Sequence, residues 1–110
     1  MGMKIKGEWL SKRIWIDGEE IFPDDSLKII NHSPDGFNWS YCGSGPSQLA
    51  LAILMYAFKN DKFNKEKYSF YQDFKWDYVS KFPKDNFEIE INIENWIESK
   101  WNKLVSNVAG

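Results

Sequence analysis

The chain has 110 residues, one domain's worth and enough for a single hydrophobic core. Hydrophobic residues make up 43% and aromatics 17%, with six Trp, five Tyr and eight Phe, so large rings suffice for a dense core and for a binding surface besides. A formal net charge of −2, from 14 basic and 16 acidic residues, argues against non-specific nucleic-acid binding, which needs a basic field around the whole protein.

The first segment, MGMKIKGEW, lacks the apolar core of a signal peptide, which together with the absence of any span-length apolar run sets the expectation of a soluble, cytoplasmic protein with no membrane contact. Lys4 to Trp9 and Arg13 to Ile16 alternate in the manner of strands. Asp17-Gly18 is a two-residue hairpin turn, because both residues tolerate positive φ, and Glu19 to Phe22 returns as a third short strand. Pro23 to Ser26 breaks the pattern, and Leu27 to Ile30 reads as a short strand or part of a turn. Asn31 to Gly36, NHSPDG, is dense in turn formers, and the aromatics of Phe37 to Tyr41 alternate as a further strand would.

A glycine-rich turn, Gly43-Ser44-Gly45-Pro46, then opens a helix at Pro46 that is apolar on every side and ends near Lys59-Asn60-Asp61, the mark of a central buried helix. Asn64 caps a second helix carrying the stripe Tyr71, Phe74, Tyr78, Phe82, which Pro83 stops. Phe87, Ile89 and Ile91 alternate with glutamates as a half-exposed strand. Asn92 caps a third helix through about Lys103, and residues 105–110 form a small-residue tail expected to fray. Without repeats or a linker, this pattern predicts one α+β domain over residues 1–110, an antiparallel sheet of three to five strands against three helices.

The turn carries the first candidate chemistry. Gly43, Gly45 and Ser47 present backbone N–H groups at the positive end of a helix dipole, and Ser44, Ser47 and Gln48 add side-chain donors, a set that suits a phosphate or carboxylate. It has no Gly-Lys-Ser/Thr ending and no third glycine of the dinucleotide fingerprint. The competing explanation is that the glycines only permit a sharp start to a buried helix. His32 sits in a polar loop, where it either acts on a ligand with Ser33 or caps a turn. Trp39 and Tyr41 precede the turn on one side of their segment, and Trp76 lies at the margin of the second helix's stripe beside Lys75. These rings could stack on a base while the turn holds a phosphate, with Lys75 or Arg13 supplying positive charge. Core packing is the alternative for at least one ring.

One His, one Cys and scattered carboxylates do not form a metal set, and no cofactor is implied. Cys42, the only cysteine, forms no internal disulfide and has only its position beside a helix start to suggest a nucleophile. Asp73 and Asp77, one turn apart, read as a solvated face balanced by Lys75 and Lys81. No second catalytic group accompanies His32, so no catalytic residue is assigned and the chain reads as non-enzymatic.

The blocks NHSPDGFNWSYCGSGPSQLALAIL, YQDFKWDYVSKFP and ENWIE, with KGEW and the IDG turn, resemble a bacterial and phage domain-of-unknown-function family, number 6166, over roughly residues 4 to 98. The resemblance implies a shared fold and an emphasis on His32-Ser33-Pro34, the GSGP turn, Gln48 and Phe74-Lys75, but no activity. Glycine usually occupies the position of Cys42 in that family, which weakens a nucleophile role. Small families of this kind often travel on phages, where compact proteins antagonise host defence. The leading expectation is a binding protein for an anionic, nucleotide-like small molecule, which on a phage would sequester a nucleotide immune signal. The alternative is an interaction module that inhibits a host protein through exposed aromatics such as Trp76 and Trp101. A small nucleotide-processing enzyme using His32 ranks third. A homodimer would suit so short a chain.

Overall fold

The computed structural model describes residues 2–109, with side chains described as far as Leu104. Three strands, β1 (Met3–Glu8), β2 (Arg13–Ile16) and β3 (Glu19–Ile21), are followed by helices α1 (Asp24–Ile29), α2 (Ser44–Ala57), α3 (Asn64–Tyr68) and α4 (Tyr71–Asp77). A 3₁₀ turn (Val79–Lys81), strand β4 (Phe87–Ile91) and helix α5 (Ile93–Ala109) complete the order. The sheet is antiparallel throughout in the order β3-β2-β1-β4, so the last strand pairs with the first. The fold is α+β, with more helices than the sequence pattern suggests.

Alternation in the strands does what it predicts. Ile5, Ile14, Ile16 and Ile91 are buried on one face, and Lys4, Lys6, Arg13, Glu88 and Glu90 point to solvent on the other. The register aligns Ile5 with Ile16 and Ile89, so the apolar set stays on one side across the sheet. Asp17 and Gly18 both adopt positive φ, at 50° and 86°, as a two-residue hairpin of this hand requires.

Helix α2 packs against the sheet's apolar face and is buried continuously from Gly45 to Leu54. A helix apolar on all sides is stable only when surrounded, and α1, α3, α4 and the sheet surround it. Leu49, Leu51, Ile53 and Leu54 are fully buried, each contributing about 1.5–3 kcal/mol from burial alone.

Four expectations are corrected. Leu27 to Ile30 is not a strand: Pro23 precedes a helix whose first turn carries Asp24 and Asp25 and whose last carries Lys28, matching the macrodipole at both ends. Phe37 to Tyr41 is not a strand either; Ser40 takes φ of 81°, and its N–H bonds the carbonyl of Val79 instead of joining a ladder. The stripe from Asn64 to Phe82 is interrupted rather than continuous. The Ser69 hydroxyl takes the Glu66 carbonyl as its acceptor, a local bond that competes with the helical ladder, and the chain restarts at Tyr71. Finally, the last helix does not end near Lys103 but runs to Ala109, because no breaker intervenes before Gly110, which lies outside the described residues. Asn92 caps α5 as expected, its Oδ1 accepting from the Asn95 N–H at 3.0 Å.

Candidate functional site around the start of α2

Gly43 is the residue before α2, with extended backbone and no side-chain cap. The Ser47 N–H is satisfied by the Gly43 carbonyl at 3.0 Å, and Pro46 has no N–H. Among the described residues, the N–H groups of Ser44 and Gly45 find no acceptor. Two main-chain donors therefore point off the positive end of a 14-residue helix, with exposed Ser44 beside them.

The glycines are also required by packing. A Cβ on Gly45 would lie 2.6 Å from Cβ of Asn38, and one on Gly43 would lie 2.5 Å from the Tyr41 ring. Tyr41 thus lies against the turn while remaining 46% exposed. The packing explanation for the glycines therefore holds: Gly45 is buried against Asn38, and Ser44 is the exposed residue of the turn.

Helix α4 runs past this end of α2. Ser47 Oγ donates to Gln72 Oε1 at 3.3 Å, and the Ser40 N–H donates to the Val79 carbonyl at 3.0 Å. Residues 75 and 76 fall between those two tie points along the chain. Trp76 sits one helical turn beyond Gln72 on the same face and is 58% exposed. Lys75 is half-buried, with its ammonium 5.2 Å from the Trp76 ring centre.

The remaining expected site residues are committed elsewhere. Gln48 is fully buried and makes four hydrogen bonds. Its Oε1 accepts from the N–H groups of His32 (2.8 Å) and Ser33 (3.1 Å), and its Nε2 donates to Ser26 Oγ (2.8 Å) and the Ile30 carbonyl (3.1 Å). With its capacity filled, it holds the loop in place rather than reaching a ligand. Ser33 likewise meets α2 through its backbone. His32 Nε2 lies 2.7 Å from the Tyr71 hydroxyl, their rings 5.5 Å apart, which turns the imidazole toward α4 and gives it a phenol rather than a carboxylate as partner.

Trp39 faces away from the turn. It is fully buried, donates its indole N–H to the Pro83 carbonyl at 3.0 Å, and meets Trp9 and Phe87 edge-on at 5.5 and 5.2 Å. Arg13 lies on the sheet, bidentate to Glu20 at 2.7 and 3.0 Å, which raises the guanidinium's pKa and lowers that of the carboxyl. Cys42 is exposed. No cluster of three metal-ligating side chains occurs among the described residues.

Sequence reasoning missed the partners. Gln72 bonds Ser47 and Asn38 packs against Gly45 at the start of α2, while Tyr71, which reads as one member of an apolar stripe, holds His32. The charge of Lys81 acts on Asp77 as expected, but the ion pairs of Asp73 and Asp77 run to Lys100 rather than to Lys75. Lys100 lies 3.3 Å from Asp77 and 4.0 Å from Asp73, and the Trp96 indole N–H donates to Asp77 at 2.9 Å, tying α4 to α5. Burial pushes the Asp77 carboxyl up, but the Trp96 and Lys100 bonds outweigh it and hold the group below its ordinary value.

The fold and this site define a small α+β domain whose buried central helix begins at a tightly packed glycine turn. The chain belongs to a family of unknown function, DUF6166, whose model matches residues 2–99. No curated protein and no solved structure matches the chain. Among the described residues no helix is long and apolar enough to cross a membrane.

Proposed function

We propose that the protein is a non-enzymatic binding protein for an anionic, nucleotide-like small molecule, held on an open shelf at the start of α2. One observation carries this reading: the Ser44 and Gly45 amides lack an acceptor among the described residues, while the Ser47 hydroxyl of the same turn is already bonded to Gln72. Such donors at a helix's positive end suit a phosphate. In this reading the exposed rings of Tyr41, which lies against Gly43, and of Trp76 on α4 serve as stacking surfaces, and Lys75 beside Trp76 supplies the cation. On a phage, this binding would serve to sequester a nucleotide signal of host immunity.

The test is calorimetry against cyclic and ADP-ribose-type nucleotides. Ser44→Pro removes one amide donor at the first helical position, where proline is well tolerated, and Gly43 already has the extended backbone that precedes proline. One nucleotide is expected to bind, with affinity lowered about tenfold by Ser44→Pro and by Trp76→Ala. A folded protein that binds none of the panel overturns the reading.

The high exposure of Trp76 and of Tyr41 supports a second reading in which exposed aromatics anchor a host protein. Capture of a defined partner that is lost in Trp76→Ala and unchanged in Ser44→Pro would favour that reading over the first.

A further inference from the structure

A second surface lies at the other end of α2. A groove of about 870 Å³ runs between β3 and α1, over the outer side of α2. Ala52, Met55 and Ile21 give it an apolar floor, and Phe22, 61% exposed, stands at its rim. Four carboxylates line it, Glu19, Glu20, Asp24 and Asp25, against the single ammonium of Lys59. Two of these acids are matched, Glu20 by Arg13 at 2.7 Å and Asp25 by Lys28 at 3.9 Å. Glu19 and Asp24 have no ion pair among the described residues. Glu19 accepts the Tyr56 hydroxyl, and Lys59 rests its ammonium on the Tyr56 ring at 4.1 Å. The groove is therefore apolar below and acidic at its rim.

The strand beside it has a free edge. β3 ends the sheet, and the two-residue turn makes Ile16 and Glu19 the pair that exchanges both ladder bonds. Ile14 and Ile21 form the next such pair, so the N–H and carbonyl of Glu20 point away from the sheet, toward the groove side. Phe22 continues this outward alternation until Pro23 ends it. Among the described residues, no backbone hydrogen bond reaches Glu20 or Phe22 from outside.

We infer that this groove binds a short extended peptide segment of another protein, in which lysine or arginine alternates with aliphatic residues. The segment adds a strand to β3 through the backbone of Glu20 and Phe22. Its aliphatic side chains lie over Ala52 and Met55, and its cations meet the acidic rim. The unbalanced acids select the sign of charge, and the brevity of β3 limits the contact to a few residues.

The experiment titrates the whole chain with a short synthetic peptide of alternating lysine and valine, followed by amide chemical shifts. Saturable shifts are expected at Glu20, Phe22 and Met55. Added salt and the double variant Asp24→Lys, Asp25→Lys, both exposed positions, should each weaken binding by about tenfold. A peptide of the same sequence with N-methylated backbone should not bind, which separates strand pairing from charge attraction alone. The inference is overturned if the shifts fail to appear, or if a glutamate–valine peptide or the N-methylated one produces them equally. It is also overturned if those amides become protected with rising protein concentration alone, since a second copy then fills the edge.

Discussion

Replacing Gln48 by leucine removes the polar hub beneath the candidate site while nearly preserving its volume. In the native protein this amide satisfies four groups: the N–H of His32, the N–H of Ser33, the Ser26 hydroxyl and the Ile30 carbonyl. The Ser26 hydroxyl keeps the Pro23 carbonyl as an acceptor at 2.8 Å, so little is lost there. The Ile30 carbonyl belongs to an exposed residue and regains water, whereas His32 and Ser33 are half-buried and recover their bonds only if the loop moves. Counting these two amides at about 1–2 kcal/mol each gives a loss of about 2–4 kcal/mol, a large share of a typical stability of about 5–15 kcal/mol. Urea unfolding measures the loss, and amide exchange at His32 and Ser33 should accelerate more than exchange at Ile5 or Ile53. A loss below about 1 kcal/mol with unchanged exchange in the loop would refute the assignment of Gln48 as the residue that holds it.

Three further outcomes follow from the same geometry. Trp39→Phe should cost about 2–4 kcal/mol by removing the bond to Pro83 and the edge contacts with Trp9 and Phe87, whereas Trp76→Ala should change stability by less than about 0.5 kcal/mol; equal effects in thermal unfolding would contradict the division of these rings between core and surface. Gly45→Ala should destabilise by about 1–3 kcal/mol, because its Cβ meets both Cβ and the backbone N of Asn38, and Gly43→Ala should cost less since only the movable Tyr41 ring obstructs it. Asp77 has a lowered pKa, so its stabilising contribution is complete above the ordinary carboxylate value of about 3.9 and is lost as pH falls through the lower folded value. Asp77→Asn should therefore lower the melting temperature near neutrality, with the gap closing between about pH 4 and about pH 2; a gap constant across that range would exclude the linkage.

The strands, the hairpin and the central helix were legible because each announces itself locally. Ile5, Ile14 and Ile16 alternate, Asp17-Gly18 suits only one kind of turn, and α2 is apolar around its whole circumference. The glycine turn was legible for the same reason, since Gly43 and Gly45 mark the backbone before any neighbour is known. What surrounds that turn was not. Whether Trp39 stacks on a ligand or packs against Phe87 depends on which side of a loop the core occupies, and alternation in an unpaired segment carries no such information. Gln48 reads as a donor beside a helix start, but its amide is consumed by residues 15 to 22 positions away. Asp77 finds Lys100 and Trp96 across a helix pair, a partnership no local spacing predicts. Backbone geometry and burial period are properties of neighbouring residues and were set by the sequence itself. The allocation of each polar group to the interior or to a ligand was decided only by tertiary packing, because a hydrogen bond is committed when distant segments meet.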